Sequence, residues 1–122
     1  MTDKTIAMVV TVLPVGDLTR AIDFYHRLGF TSKRYKDGDG YAFIQRDGHE
    51  LHLSRLRGLT QKQSPAGAYF YLTHGTAAAL EAEFRSAGVP ISEPLAPREW
   101  KMNEFVVEDP DGNQLVFGEG IS

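Results

Sequence analysis

Histidines, carboxylates and aromatic rings are the side chains through which this 122-residue chain could do chemistry or bind a ligand. It has four histidines and no cysteine, which excludes a disulfide framework, a thiolate zinc site and a cysteine nucleophile. Glu50 and His52 stand two residues apart, so a strand would place both side chains on one face. Such a pair suits a divalent metal, but one imidazole does not hold a metal against water without further ligands.

The other histidines have simpler explanations. His26 lies in a predicted helix among charged residues and is expected at a solvated surface. His49 points away from His52 in a strand and adjoins a turn, while His74 lies at the entry to a predicted helix, where local capping accounts for it. No serine sits on a sharp strand-to-helix turn, and the glycines follow no phosphate-binding pattern. The sequence therefore predicts no catalytic residue.

Three aromatic residues carry the stronger signal for recognition. Tyr69 and Tyr71 alternate along a predicted strand and share one face. Trp100 stands between Glu99 and Lys101, in a polar segment with little core to join. Flat aromatic rings stack on planar ligands, with ~0.5–1.5 kcal/mol per pair beyond burial. The alternative is that both tyrosines are ordinary strand residues that fill a core.

The first half of the chain predicts one strand, one helix and three further strands. The apolar, β-branched segment Ile6–Val15 predicts a buried strand that leaves its sheet at Pro14. Asp17 suits the N-cap of a helix that ends at Gly29. Strand-like stretches follow at Thr31–Tyr35, Tyr41–Arg46 and His49–Ser54, with turn signals at Asp37–Gly40 and Asp47-Gly48 between them.

The same order of elements returns after a linker at Leu56–Ala66. A strand at Ala68–Leu72 leads into a helix at Thr76–Ala87, which ends at Gly88. Strands are then predicted at Ile91–Leu95, Glu104–Glu108 and Gln114–Phe117, the last two joined by the turn Asp109-Pro-Asp-Gly-Asn113. This internal repeat predicts an α+β fold with one domain, residues 1–122, made of two βαβββ modules at about 6–57 and 66–120.

Charge and hydropathy limit the classes of partner. With a net charge of −3, the chain lacks the basic footprint of a nucleic-acid-binding protein. The longest apolar run, Ile6–Leu13, is too short to cross a membrane and makes a poor signal peptide. We therefore expect a cytoplasmic protein that binds neither nucleic acid nor membrane. The small size of the chain favours a partner subunit.

Two segments of the chain carry a recognisable pattern. The first runs from Leu13-Pro-Val through Asp17-Leu18 to Leu28-Gly29-Phe30, and the second from Trp100 through Glu104-Phe105 and Asp109-Pro-Asp-Gly-Asn113 to Glu119. Both resemble the vicinal oxygen chelate superfamily, which includes glyoxalase I, fosfomycin thiol transferases, extradiol dioxygenases and bleomycin-resistance proteins. The second is most similar to the bleomycin-resistance branch, in which a tryptophan shortly precedes a Glu-Phe strand. The resemblance implies a concave mixed sheet and a homodimer with clefts between the subunits, with the first strand either exchanged near Pro14 or retained.

Enzymes of this superfamily use a divalent metal that polarises an oxygen of the substrate. By the resemblance, the ligand positions fall on Val10, His52, Gly67 or Ala68, and Val116. Among these, His52 alone has a side chain that can bind a metal. Glu119 lies beyond the expected position in the last strand, and the alternation of strand side chains would point it to the opposite face. The resemblance therefore implies a protein without metal or cofactor, in which His52 lines the cleft. Glu50 beside it leaves an unrecognised metal site open.

The resemblance then implies a non-catalytic protein that sequesters a planar antibiotic such as bleomycin, whose bithiazole tail is flat and whose terminal group is cationic. The predicted ligand-binding residues are Phe43, His52, Tyr69, Tyr71, Trp100 and Glu104. Carboxylates near the cleft complement the cation, the candidates being Glu99, Glu104, Asp37, Asp39 and Glu50.

Other functions stay open at this point. If Arg46, Arg55 and Arg57 face the cleft, they favour an anionic ligand over bleomycin. The principal alternative is a metal-dependent enzyme of the same fold, such as a glyoxalase-like isomerase or a thiol transferase. A third hypothesis is a binder of an unrelated metabolite.

Overall fold

The computed structural model describes residues 3–60 and 62–121 of the chain. Two series of elements follow one another, each made of one strand, one helix and three strands. The first series is β1 (Thr11–Val15), α1 (Leu18–Arg27), β2 (Thr31–Arg34), β3 (Tyr41–Arg46) and β4 (His49–Arg55), with a short 3-10 turn at Tyr35–Asp37. The second series is β5 (Gly67–Tyr71), α2 (Ala77–Ser86), β6 (Glu93–Pro97), β7 (Met102–Glu108) and β8 (Gln114–Gly120). Neither helix is long and apolar enough to span a membrane.

The strands form two mixed sheets of four strands each, in the orders β1-β4-β3-β2 and β5-β8-β7-β6. β1 runs parallel to β4 and β5 parallel to β8, whereas the other neighbours are antiparallel. This arrangement confirms the predicted α+β fold. Within the described residues it leaves β1 and β5 at the edges of their sheets, each with one unpaired side.

Both predicted helices are present, but their N-termini are capped differently. Asp17 accepts a hydrogen bond from the Arg20 amide at 3.0 Å, as expected for an N-cap. At α2 the cap comes from β8, where Glu119 accepts hydrogen bonds from the amides of Gly75 and Ala77 at 2.6 and 2.7 Å. These bonds hold the pKa of Glu119 below its usual value. Glu119, for which the sequence suggested no role, therefore fixes α2 to the second sheet.

The first strand is shorter than predicted. β1 begins at Thr11, and residues 3–10 ahead of it belong to no strand or helix. Their apolar side chains are largely exposed, to 73% for Ile6, 66% for Met8 and 84% for Val9. Pro14 lies inside β1 instead of marking its end. An edge strand tolerates it because the position of the missing N–H can face away from the sheet.

The two sheets share one hydrophobic core on the side where the helices pack. Alternate strand residues enter it, among them Leu13, Val15, Leu51, Leu53, Phe105, Val107, Leu115 and Phe117. Full burial of such a side chain contributes about 1.5–3 kcal/mol. The opposite, helix-free side of each sheet is therefore left to carry polar and aromatic residues.

The turn between β7 and β8, at residues Asp109–Asn113, is buried against the first half of the chain. The Tyr25 hydroxyl donates to Asp109 at 2.7 Å, and the Asn113 side chain donates to the carbonyl oxygen of Pro14 at 2.9 Å. Burial raises the pKa of Asp109, although its hydrogen bonds with Asn113 and Tyr25 oppose the shift. The turn thus ties the second sheet to α1 and β1.

A second contact joins the two halves in the opposite direction, from Arg46 at the end of β3, beside the β3–β4 turn, to α2 of the second half. Arg46 donates to the Leu28 carbonyl oxygen at 2.7 Å and to Glu83 of α2 at 2.7 Å. Its guanidinium also lies 6.0 Å from the centre of the Phe84 ring. Each half of the chain therefore places one hairpin turn against the helix of the other half.

Candidate functional site

The helix-free side of the first sheet is lined by residues from three strands. The register places Val12 and Phe43 on either side of His52. Tyr41 lies two residues before Phe43 in β3, and Glu50 lies two residues before His52 in β4. Both therefore point to the same side, because strand side chains alternate. We call these five residues the first face.

His52 is held between Tyr41 and Glu50. Its Nδ1 lies 2.8 Å from the Tyr41 hydroxyl and its Nε2 lies 2.5 Å from Glu50 Oε2. The rings of Tyr41 and Phe43 contact the imidazole edge-on, with centroid separations of 5.4 and 4.8 Å. The His52 side chain is 17% exposed and that of Glu50 38%. Tyr41, His52 and Glu50, which we call the His52 group, thus have a nearly buried centre and a more exposed carboxylate end.

The helix-free side of the second sheet has a corresponding set of residues. Tyr69 on β5 pairs with Val116 on β8, and Tyr71 pairs with Gly118. Glu104 on β7 also pairs with Gly118 from the other side. We call these five residues the second face.

The two tyrosines of the second face project away from the core. Phe70, which lies between them, points to the opposite side and stacks on Phe117 with a centroid separation of 4.4 Å. Tyr69 and Tyr71 lie 5.3 Å apart, ring centre to ring centre, and are 45% and 80% exposed. This exposure disagrees with the alternative that both rings simply fill the core.

Trp100 occupies the tight turn between β6 and β7. The Arg98 amide donates to the Met102 carbonyl oxygen at 2.7 Å, and the Lys101 amide donates to that of Arg98 at 3.0 Å. Lys101 has a φ of 64°, the left-handed conformation typical of a three-residue hairpin loop. The turn leaves the indole ring 60% exposed, while its Nε1 donates to Glu104 at 2.9 Å.

Glu104 has partners for both of its carboxylate oxygens. Oε2 accepts hydrogen bonds from Trp100 and from the Tyr69 hydroxyl, the latter at 2.5 Å. Oε1 lies 3.7 Å from Nε of Arg98. We call these four residues the Glu104 group. Because Glu104 is buried and Arg98 balances its charge, its carboxylate is poorly placed to receive a cation from a ligand.

The contact between Tyr69 and Glu104 depends on a glycine. A Cβ atom at Gly118 would overlap the Tyr69 hydroxyl and crowd Glu104, so a larger residue would force the pair apart. At Gly120, two residues along β8, such an atom would meet nothing within 4 Å. Burial and the hydrogen bond to Glu104 both raise the pKa of Tyr69 well above its usual value.

The six residues predicted to bind a ligand therefore fall into two clusters. Phe43 and His52 belong to the first face, whereas Tyr69, Tyr71, Trp100 and Glu104 lie on or beside the second. Across residues 3–60 and 62–121, no hydrogen bond, ion pair or ring contact joins the two clusters.

Tyr41, Arg98 and Gly118 make contacts in these clusters but were not predicted as site residues. Tyr41 was within reach of the sequence, because a two-residue turn at Asp47-Gly48 fixes the hairpin register and brings Phe43 opposite His52. Arg98 reaches Glu104 across the β6–β7 turn. The role of Gly118 depends on Tyr69, in a strand distant in the chain, for which the sequence holds no local signal.

The other charged candidates lie away from the first face. By strand parity, Arg46 and Arg55 point to the side opposite Phe43 and His52. Arg46 is bound to Glu83, and Arg55 lies 3.8 Å from Asp39. Arg57, Asp37 and Glu99 are exposed outside the strands. An anionic ligand was expected only if arginines pointed into the cleft. Arg46 and Arg55 do not point to the first face, so they do not support an anionic ligand there.

The ligand positions implied by the resemblance do not fit a metal. Val10 and Val116 carry no donor atom. At Gly67 any side chain is excluded, since a Cβ atom would overlap the carbonyl oxygen of Gln114. Both ring nitrogens of His52 already have hydrogen-bond partners. In the part of the chain that the structure describes, no three His, Cys, Asp or Glu side chains are arranged to hold a metal ion.

Known proteins share this architecture. A family model described as the Glyoxalase/Bleomycin resistance protein/Dioxygenase superfamily matches residues 6–117. Among solved structures, a bleomycin-binding protein complexed with bleomycin is similar, with a TM-score of 0.80 and 23% identity over 94% of this chain and 99% of that one. A bleomycin resistance determinant encoded on the transposon Tn5 has a TM-score of 0.81 and 21% identity, over 94% and 98% of the two chains. TioX from Micromonospora sp. ML1 has a TM-score of 0.75 and 18% identity, over 94% and 99%.

A search of curated proteins finds no match. At these identities, the solved structures show a shared fold. The family model spans nearly all of the ordered elements, from the segment before β1 into β8. With the strand order, the paired sheets and this match in agreement, the chain belongs to the glyoxalase/bleomycin resistance protein/dioxygenase superfamily.

Proposed function

We propose that this protein binds a planar, cationic antibiotic of the bleomycin type and holds it without changing it chemically. Support at the level of the family comes from the superfamily match and from the fold shared with a bleomycin-binding protein and a bleomycin resistance determinant. The cytoplasmic location expected from the sequence stays a prediction.

The observation that carries the proposal is a pair of exposed but supported rings. Trp100 and Tyr71 are 60% and 80% exposed, and Tyr69 lies against Tyr71. Glu104 fixes both Trp100 and Tyr69 through hydrogen bonds. Rings that are already held in place can stack on a planar ligand with little further loss of side-chain freedom. In this proposal Glu104 is a positioning residue for the rings rather than a partner of the ligand.

We also propose that the protein is a homodimer in which residues 3–10 of one subunit pack on the other. This segment exposes apolar side chains and belongs to no sheet. An open groove of about 620 Å³ runs beside β5, and its lining includes the partly exposed apolar residues Ala68, Phe70, Leu72 and Leu80. The unpaired edge of β5 can accept an extended segment. Exchange of residues 3–10 would bury both apolar surfaces at once.

Ligand binding is tested by titrating the chelator-treated protein with metal-free bleomycin. We expect saturable quenching of Trp100, the single tryptophan of the chain, at submicromolar ligand. Calorimetry on Trp100→Ala should show an affinity lower by about 30-fold or more, as for an aromatic residue at the centre of a binding surface. Leu56→Ala, another large exposed side chain, is the matched control and should bind as the unchanged protein does. No binding up to high micromolar ligand would overturn the proposal.

The dimer is tested by light scattering on the full chain and on the double variant Ile6→Asp, Val9→Asp. We expect a dimer for the first and a monomer for the second, because two charges cannot enter an apolar groove. Ile121→Asp adds a charge at the other end of the chain, at a residue that is also exposed, and should stay dimeric. A monomeric unchanged protein at high micromolar concentration would contradict the proposed assembly.

A further inference from the structure

The His52 group is used by no part of the proposed stacking site, yet its hydrogen bonds have a fixed direction. An ionised carboxylate can only accept, so His52 Nε2 must donate to Glu50. In the neutral imidazole the other nitrogen, Nδ1, then carries a lone pair. The Tyr41 hydroxyl at 2.8 Å must therefore donate to it. While the imidazole is neutral, this is the one arrangement of protons that satisfies all three side chains.

This arrangement decides what the group offers to a bound molecule. The Tyr41 hydroxyl donates its only proton to His52, so its oxygen can act only as an acceptor toward a ligand. Glu50 is acceptor-only as well and keeps 38% of its side chain exposed. Both ends of the group are therefore acceptors, and one end carries a full negative charge. A ligand satisfies both ends if it places a cationic group with N–H donors at Glu50 and a further N–H donor at Tyr41, whereas a carboxylate or an ether satisfies neither.

The surroundings favour the Glu50 end for such a cation. Lys33 lies beyond Phe43 in the row of residues that contains His52 and would repel a cation on that side. Val12 on β1 is uncharged and borders His52 on the other side. The two faces lie on different sheets, so the stacking and the charge recognition of one ligand would be divided between them.

We propose that the His52 group is a subsite that selects a protonated amine or related N–H-bearing cation of the ligand. Glu50 is the acceptor of the cation, Tyr41 accepts a neighbouring N–H of the ligand, and His52 fixes the direction of both. This inference rests on the proposed function, since it assigns the cationic end of the ligand to the first face. It gives the cation a binding place that the saturated carboxylate of Glu104 does not offer.

The experiment compares two probes: metal-free bleomycin and the same molecule with its terminal amine removed to leave a carboxylate. Calorimetry at mildly alkaline pH should show at least about tenfold tighter binding of the amine form by the unchanged protein. Glu50→Gln and His52→Phe should each reduce this ratio by about tenfold, and Tyr41→Phe by about threefold. His49→Gln changes a histidine of the same strand that points to the opposite side and should leave the ratio unchanged.

Each outcome separates the two proposals. If neither probe binds the unchanged protein, the proposed function fails and the subsite fails with it. If both probes bind equally, or the ratio survives Glu50→Gln, the proposed function stands and the subsite is overturned. Nitrogen NMR of His52 gives a second readout, because the subsite requires the proton on Nε2 and a bare Nδ1. A proton on Nδ1 in the neutral ring would turn the Tyr41 hydroxyl into a donor toward the ligand and would also overturn it.

Discussion

The first and second faces use the same strand arrangement but place different chemistry at its centre. Tyr41 pairs with Ser54 on β4, as Glu104 pairs with Gly118 on β8, so the two residues take corresponding places in their sheets. At that place the first face has a hydroxyl that is hydrogen-bonded to His52, and the second has a carboxylate that accepts from two aromatic side chains.

The difference lies in which end of each group reaches the surface. In the Glu104 group the carboxylate is buried and the most exposed side chains are the aromatic rings of Tyr69 and Trp100. In the His52 group the imidazole is the more buried part and the carboxylate of Glu50 is more exposed. Two sheets that share one apolar core can thus present a stacking surface on one sheet and a charged acceptor on the other. Helix-free faces vary freely because the core depends on the opposite side of each strand.

The two faces should differ most in stability when Glu104 of the second face and Glu50 of the first face are each replaced by leucine. Glu104→Leu removes the shared acceptor of Trp100 and Tyr69, so the free energy of unfolding should fall by about 1–3 kcal/mol and the affinity for bleomycin by about 30-fold. Glu50→Leu should change the free energy of unfolding by less than about 0.5 kcal/mol, because Glu50 is the exposed end of the His52 group and water can replace it as acceptor. Urea unfolding and calorimetry measure both quantities. Equal losses of stability in the two variants would break the comparison.

A smaller effect should follow from filling the space under Tyr69. Gly118→Ala puts a methyl group where the Tyr69 hydroxyl lies, so the ring must move away from Glu104. We expect about tenfold weaker bleomycin binding by calorimetry, which corresponds to about 1.4 kcal/mol. Gly120→Ala adds the same methyl group where nothing lies within 4 Å and should bind as before. An unchanged affinity in Gly118→Ala would show that ring position on the second face is unimportant.

The pH dependence of stability tests the second face without a ligand. The pKa of Tyr69 is raised by burial and by Glu104, so the folded chain holds the phenol proton more tightly than the unfolded chain. The stabilisation is complete below the ordinary tyrosine pKa and is lost as pH rises above it. Tyr69→Phe should therefore show a shallower fall of Tm at alkaline pH. At neutral pH its Tm should be lower by about 3–6 °C, as for one lost hydrogen bond.

Tyr25 titrates in both of these proteins. Its pKa is likewise raised, by burial and by Asp109, so part of the alkaline loss must remain in Tyr69→Phe. The difference between the two pH profiles is the quantity that reports on Tyr69. Parallel profiles would mean that Glu104 does not hold the Tyr69 hydroxyl in solution.

The smallest effect is expected at Glu99, which the sequence offered as a partner for a cation. It is exposed beside Trp100 in the β6–β7 turn, where solvent and salt screen its charge. Glu99→Gln should change bleomycin affinity by no more than about twofold at physiological ionic strength. A tenfold loss by calorimetry would move the cation to the second face and weaken the division between the faces.

Much of the fold could be predicted from local features of the sequence. Asp17 begins α1 as an N-cap, and Gly29 and Gly88 follow the helices with positive φ values of 85° and 80°, as helix C-termini require. The predicted start of β1 at Ile6 was wrong, because the apolar segment from Ile6 has strand propensity but pairs with no neighbouring strand within the described chain. Propensity cannot reveal a missing partner.

The site was predictable to the extent that it depends on alternation within one strand. Tyr69 and Tyr71 share a face, as their spacing predicts. The saturation of Glu104 could not be predicted, because Tyr69 lies 35 residues away in the chain and Trp100 reaches back across a turn. The family resemblance identified the carboxylate, whereas the contacts between strands decide what it is free to bind.

The two hairpin turns that reach across to the opposite half also determine how the protein loses its structure. The β7–β8 turn is hydrogen-bonded to α1 through Tyr25, and Arg46 beside the β3–β4 turn is bound to Glu83 of α2. Neither half can open without breaking contacts of the other, so the cooperative unit of unfolding is the whole chain rather than a βαβββ module. A trypsin cut after the exposed Arg57 would accordingly leave two fragments that remain a single folded particle.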